Sequence, residues 1–352
     1  MNPPFVVLQL SDLHRTRDDP VTNAELLAAL EADRGRWPEG VSGQPDFVVV
    51  SGDLVQGVAL GTADASEQLE KQYLDAGALL AQLVERFLGG DRSRLVFVPG
   101  NHDVDWCTAR SAMDEVGDEE LLRVERALPA TTLDPASPYR WNWRERRLYK
   151  VVNAGLYASR CTRFLDFRRE FYSAVSPDPL RLGDTIVFVE APSLDVSITG
   201  LSSWHGNDCF CHVGAFDPED LLVARDAIAA SPCGLHIAVW HHGIVGKPAE
   251  TDFLEGRIVH RLVDYGFRVG LHRHHHRSDA TVMPLRLPTK EEFALVSAGS
   301  LAAGSRELPA GVERQYTLLR FESDARRLRV HVREAISGLV FVARHAAGVR
   351  WQ

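Results

Sequence analysis

Four short polar clusters each close an apolar run of strand length: Asp12-Leu13-His14, Gly52-Asp53, Gly100-Asn101-His102-Asp103 and His272-Arg273-His274-His275-His276. His241-His242 forms a fifth between the last two. Carboxylate, imidazole and amide groups are the donors that divalent transition-metal ions take from a protein, and at successive strand ends they would suit a pair of ions. Singly the clusters say little, because Asp, Gly and His are ordinary turn residues. Together their order and spacing are far more specific. Asp12 and His14 stand two apart, so on an extended chain their side chains would point the same way, and His274 and His276 share that spacing. At Gly100 a glycine lets the backbone turn sharply before amide, imidazole and carboxylate follow in succession.

The elements that must position these groups can be read from hydrophobic periodicity. Phe5 to Leu10, Asp46 to Ser51, Arg94 to Pro99, His236 to Trp240 and Gly266 to Leu271 are short, β-branched apolar runs that predict buried strands. Thr22 to Arg34 places Leu26, Leu27 and Leu30 at helical spacing behind the capping residue Thr22. Ser66 to Leu88 is a longer amphipathic helix stopped by Gly89-Gly90. Strand and helix alternate through the first hundred residues, which implies an α/β layered domain with its chemistry at the carboxyl ends of the strands. Further strands are predicted at Thr185 to Ala191, Asp195 to Leu201, Phe293 to Ser297, Tyr316 to Phe321 and Leu328 to Glu334, with helices at Pro218 to Ala230 and Ile258 to Tyr265. The closing run of strands suggests a second sheet stacked on the first. Residues 105 to 180 break the pattern with helical stretches at Glu119 to Ala127 and Cys161 to Ser173. Trp141, Trp143, Tyr149, Tyr157, Phe164, Phe167, Phe171 and Tyr172 give the segment an apolar face of its own, so it reads as a cap over the site within a single domain spanning 1–352.

The assembled series D-x-H, G-D, G-N-H-D, strand-end His and a terminal histidine cluster resembles the calcineurin-like metallophosphoesterase superfamily over roughly residues 5 to 300. The resemblance implies a four-layer α/β/β/α sandwich of two stacked mixed sheets with a helical cap insertion. It implies two divalent transition-metal ions (Mn, Fe, Zn or Co), one held by Asp12, His14 and His276, the other by Asn101, His241 and His274, with Asp53 bridging. The activity implied is hydrolysis of a phosphomonoester or phosphodiester, nucleotides included, by attack of metal-bound hydroxide. His102 would stabilise the transition state or protonate the leaving oxygen, and Asp103 would orient His102 or its loop. In His241-His242 the residue nearer the strand matches the family position. Where the family has glycine this chain has Arg273, which implies a reshaped turn, an arginine reaching toward the substrate phosphate, or a weakened metal site.

Other residues carry two readings each. Arg15, directly after the D-x-H pair, is a phosphate contact or a solvated arginine. His205, with His212, lies in a polar loop and either stabilises a turn or stands at the mouth of the site. The aromatic set in 139 to 172 stacks on a nucleobase or forms cap core. Cys209-Phe210-Cys211 is too close-spaced for a zinc pair by itself. Against 39 Lys and Arg stand 48 Asp and Glu, a formal charge of −9, so no global positive field draws in nucleic acid or an anionic membrane. A metal-dependent nuclease and a non-catalytic regulatory protein on the same scaffold are the alternatives to a phosphoesterase. Five sparse cysteines argue for a reducing compartment, and with neither a secretory signal nor an apolar stretch of membrane-spanning length, the expected location is cytoplasmic.

Overall fold

The computed structural model describes residues 3–16, 21–41, 43–124, 134–244, 253–273, 278–284, 292–303, 308, 311–323 and 327–351. Phe5–Leu10 (β1), Phe47–Ser51 (β2) and Leu95–Val98 (β3) form three parallel strands joined by the helices Asn23–Arg34 (α1) and Ala65–Phe87 (α2). Every residue of β2 and β3 is buried, as is all of β1 except Val6. Such near-continuous apolar runs are what parallel strands covered on both faces require. α1 starts at a capping box: the Thr22 hydroxyl accepts from the Glu25 N–H and the Glu25 carboxylate accepts from the Thr22 N–H. The stripe Leu69, Tyr73, Ala76, Leu80, Leu83 and Phe87 is the buried face of α2, as its 3.6-residue period predicts.

The remaining strands are Met113–Glu115 (β4), Tyr139–Asn142 (β5), Arg147–Val151 (β6), Ile186–Ala191 (β7), Val196–Leu201 (β8), Leu235–Val239 (β9), Val269–His272 (β10), Asp279–Pro284 (β11), Glu292–Ser297 (β12), Gln315–Phe321 (β13), Arg327–Ala335 (β14) and Phe341–Arg350 (β15). One six-stranded sheet has the order β15-β14-β13-β1-β2-β3, the other β11-β12-β10-β9-β8-β7. Sheet membership therefore differs from the sequence expectation. The closing strands β13 and β14 return to the first sheet, while the second is built from β7 to β12. The reason lies in β1, whose free edge would otherwise expose unpaired backbone groups. β13 pairs antiparallel along that edge, with the Phe5 and Phe321 rings stacked 4.4 Å apart. β11 and β15 were not foreseen.

One apolar core runs from α1 and α2 through the first sheet to the inner face of the second, taking in Val96, Val98, Ile198, Val239 and Leu271. On the outer face of the second sheet, Ala238, Trp240 and Phe293 meet Leu221 and Ile228 of the helix Pro218–Ala230 and Leu262 of the helix Gly256–Asp264. The layers are helix, sheet, sheet, helix: the expected α/β/β/α sandwich. Among the described residues no helix is long and apolar enough to cross a membrane.

The segment between β3 and β7 holds, besides its helices, the antiparallel sheet β4-β6-β5. The helix Asp118–Val124 corresponds to the start of the predicted one, whose remainder falls outside the described residues. Most of the aromatic residues here divide between two cores, while Trp141 and Trp143 belong to neither and Trp143 is exposed. Phe164, Phe171 and Tyr172 of the helix Thr162–Tyr172 surround Phe97 of β3, and the Tyr172 hydroxyl donates to the Leu95 carbonyl at 2.7 Å. Tyr149 instead packs with Ala109 and Met113 in a small separate cluster. Binding this small sheet to the loop after β8 is a buried ion pair between Arg140 and Asp208, with the Tyr157 hydroxyl donating to the same carboxylate at 2.7 Å. Asp208→Ala would strand a guanidinium without its counter-charge, which typically costs about 3–5 kcal/mol. Urea denaturation should show that loss, and an unchanged midpoint would contradict the role given to the pair.

Candidate metal centre

The five polar clusters lie at the carboxyl ends of parallel strands, Asp12 and His14 after β1, Asp53 after β2, Asn101 to Asp103 after β3, His241 after β9 and Arg273 after β10. The loop after β1 is zipped to the loop after β2: the N–H groups of Asp12, His14 and Arg15 donate to the carbonyls of Gly52, Asp53 and Leu54 at 3.1, 3.0 and 2.9 Å. Asp12, His14 and Asp53 all adopt left-handed backbone, with φ of 46°, 40° and 53°. Extended-strand alternation is thus not what makes Asp12 and His14 converge. A twisted pair of loops does so, at an expense of about 1–3 kcal/mol for each non-glycine residue in that region.

Asp53 is the junction. One of its carboxylate oxygens accepts the His102 backbone N–H at 3.0 Å, and the other lies 3.3 Å from His241 Nε2 and 3.8 Å from His14 Nε2. Burial opposes its ionisation, but His241, His102 and His14 outweigh that and hold the carboxyl well below the ordinary aspartate range. Burial likewise opposes protonation of His241, and the neighbouring Asp53 reverses the effect and raises its pKa. Two groups of donor atoms, His14 with Asp53 and His102, and Asp12 with Asp53 and His241, each fall within 4.8 Å of one another. Nitrogen and oxygen donors in such a mixture suit Mn²⁺, Fe, Zn²⁺ or Co²⁺. Two glycines make room for them. A Cβ at Gly100 would overlap the Asp53 carboxylate, and one at Gly52, whose φ is 99°, would overlap the His241 ring.

Backbone carbonyls orient the imidazoles. His241 Nδ1 lies 2.9 Å from the Ser51 carbonyl, which turns Nε2 toward Asp53 and toward Asn101 Oδ1 at 3.2 Å. His242 faces elsewhere, its Nδ1 2.8 Å from the Ser203 hydroxyl, so His241 is the member of the pair that meets the cluster. His102 Nδ1 lies 2.8 Å from the Gln56 carbonyl, leaving Nε2 as its ring atom for chemistry. Nothing in the sequence marks Ser51 or Gln56 for this work, since a carbonyl contact depends on tertiary placement alone. Trp106, also not singled out by its sequence context, donates to the Asn101 carbonyl at 3.2 Å, lies against His102 and stacks on His212 at 5.4 Å.

Asp103 is not aimed at the cluster. Its carboxylate, buried, accepts the N–H groups of Gly100, Leu54 and Val55, which ties the loop after β3 to the loop after β2. Burial and the nearby Asp53 push its pKa up to about 7 against the pull of those backbone donors. Of the residues predicted to contact substrate, Arg15 is buried and donates to the Val21 carbonyl at 2.7 Å. His205 pairs with Asp217, the N-cap of the helix Pro218–Ala230, which is the turn-stabilising of its two readings. Arg273 is fully buried, its backbone N–H donating to the His241 carbonyl at 2.9 Å. His274 and His276 lie outside the described residues.

A family model described as calcineurin-like phosphoesterase matches residues 5–278. Among solved structures, that of PhoD is similar at 11% identity, with 99% of this chain and 70% of that chain covered and a TM-score of 0.52. GAP50, the anchor in the inner membrane complex of Plasmodium, aligns at 10% identity over 99% of this chain and 90% of its own, with a TM-score of 0.46. Wild-type Vps29 of Entamoeba histolytica complexed with Zn²⁺ aligns at 12% identity over 98% of each chain, with a TM-score of 0.33. At such identities the likeness to PhoD speaks for the fold alone. No curated protein matches. The clamp formed by Asp103 can be examined directly: Asp103→Ala orphans three buried N–H groups and should lower stability by about 3 kcal/mol. Denaturation in the presence of a chelator reads this without interference from bound ions, and a wild-type midpoint would remove Asp103 from its positioning role.

Proposed function

Because the chain belongs to the calcineurin-like phosphoesterase family, we propose that it is a metal-dependent phosphoric ester hydrolase whose catalytic metal is held on Asp53. The observation that carries this reading is one buried carboxylate, Asp53, approached by the Nε2 atoms of His14 and His241 from two different sheets. The ligands in this proposal are Asp12, His14, Asp53, Asn101 and His241, with His274 and His276 completing the set from outside the described residues. When bound, divalent ions supply a Lewis acid for the phosphoryl oxygen and lower the pKa of water. The chain's own groups do the rest. Gln56 holds the His102 ring, so that the imidazolium can present Nε2–H to the leaving oxygen. Asp103 keeps the Asn101–His102 turn against Asp53. Trp106 and His212 form an aromatic shelf beside His102, which favours a flat leaving group such as an aryl or nucleoside unit.

A second reading, a binding protein that retains the scaffold without turnover, is favoured by one observation, a fully buried arginine, Arg273, at the strand end where the cluster gathers. Turnover separates the two. Purified protein supplied with Mn²⁺ should hydrolyse p-nitrophenyl phosphate or bis(p-nitrophenyl) phosphate, and Asp53→Asn should lower kcat/KM by about three orders of magnitude, roughly 4 kcal/mol of transition-state stabilisation. No turnover of either ester would dismiss the hydrolase reading, and full activity in that variant, or in wild type after chelation, would dismiss the metal held on Asp53. His102→Ala should reduce kcat by about 10²–10⁴-fold for an alkyl ester and less for a nitrophenyl ester, whose leaving group needs little protonation. Equal losses on both esters would argue against His102 as the proton donor.

A further inference from the structure

A glutamine interrupts the apolar stripe of α2. Leu69, Tyr73, Ala76 and Leu80 lie buried at helical spacing, and Gln72 among them is only 6% exposed. A primary amide at that depth is tolerated when its hydrogen bonds are made. Both are made to one residue: Gln72 Oε1 accepts the Gly57 N–H at 2.9 Å, and Nε2 donates to the Gly57 carbonyl at 3.0 Å. The N–H of Gly57 and the carbonyl of Gln56 belong to the same peptide group, and that carbonyl lies 2.8 Å from His102 Nδ1. Because a peptide group is planar, holding its N–H also fixes the direction of its C=O. Gly57 has a φ of 75°, and a Cβ there would stand 3.1 Å from the His102 carbonyl oxygen, so the loop lies directly against the residue it orients.

The next residue of α2 grips the other side. The Tyr73 hydroxyl donates to the carbonyl of Asp103, immediately after His102, at 2.9 Å. We propose that Gln72 and Tyr73 are positioning residues through which α2 holds the loops after β2 and β3 around His102, keeping Nδ1 on the Gln56 carbonyl and Nε2 aimed at the leaving oxygen. This rests on the reading of His102 as the proton donor. A carbonyl only accepts, so the Gln56 contact keeps a proton on Nδ1. The imidazolium carries a second proton on Nε2, which passes to the leaving oxygen as its bond to phosphorus breaks and leaves a neutral ring still protonated at Nδ1. Hydrogen-bonded amides in series polarise one another, so Gln72 also strengthens the acceptor that His102 uses. Without the strut the ring loses its fixed direction, and a misplacement of about 1 Å costs on the order of 10²-fold in rate.

The test reads the ring and the turnover separately. In metal-free, isotope-labelled protein, nuclear magnetic resonance should show downfield Nδ1–H protons for His102 and for His241, whose own anchor is the Ser51 carbonyl. The His102 signal is assigned by its absence from His102→Ala. Gln72→Met, which keeps the length of the side chain, should lose the His102 signal to exchange with water and keep that of His241. On an alkyl phosphate ester Gln72→Met should lower kcat by about 10–100-fold with KM little changed, less on a nitrophenyl ester, and should add no further loss to His102→Ala. Tyr73→Phe deletes one oxygen and keeps the ring; it should show the same ester dependence at smaller size, and it carries the test if Gln72→Met does not fold. A His102 signal that persists in the folded variants would overturn the inference and leave the proposed function intact, as would equal losses on both esters. A wild type that turns over neither ester would remove the reaction itself, and both readings with it.

Discussion

An ionised carboxylate inside the sandwich is the constraint around which the rest of this molecule is arranged. Asp53 is 5% exposed, and an isolated charge at that depth would be untenable. Its compensation comes from three different strand ends. His14 follows β1, His102 follows β3 and His241 follows β9. The first two belong to the same sheet as Asp53, but His241 comes from the opposite one, so this interaction joins the sheets at the point where their carboxyl ends meet. The packing of one sheet on the other and the geometry of the centre are therefore a single problem. Gly52 shows this most directly: a side chain there would strike His241 and force the sheets apart.

Holding such a cluster requires backbone that the residues would not choose for themselves. Asp12, His14 and Asp53 sit in left-handed conformations, and together they withhold several kcal/mol from the folded state. Two devices offset this locally. The loop after β1 continues the hydrogen-bonded register of the parallel strands past their formal ends, and Asp103 gathers one N–H group from its own loop and two from the loop after β2. The remainder is supplied by the apolar core beneath, to which Leu13, between the two site residues, contributes a fully buried side chain. A strained turn is tolerable here because its middle residue is anchored in that core.

The parts legible in the sequence were those set by short-range pattern. The bounds of β1, α1 and the helix Pro218–Ala230 follow from apolar runs, a capping box and a proline-led first turn, all local signals. Which sheet a strand joins is not local. Tyr316 to Phe321 reads as a strand from its own residues, but only the unpaired edge of β1, some three hundred positions earlier, decides that it belongs to the first sheet. β5 was missed because Tyr139-Arg140-Trp141-Asn142 buries an arginine where alternation would place an apolar residue, and Asp208 in a distant loop makes that burial tolerable. At the site the residue types were legible and their orientations were not. That Asp103 clamps loops, and that Ser51 and Gln56 set the ring orientations of His241 and His102, depends on carbonyls and N–H groups that every residue possesses.

A phosphate ester is drawn to net positive charge, while its hydrolysis needs a polarising Lewis acid and an activated water. The chain by itself places two buried carboxylates, Asp12 and Asp53, where the sheets meet, and carboxylates repel a phosphate. On the reading proposed above, the bound metal is what turns this site toward its substrate. His14 and His241 suit that part, because imidazoles reach toward the shared carboxylate and add no negative charge of their own.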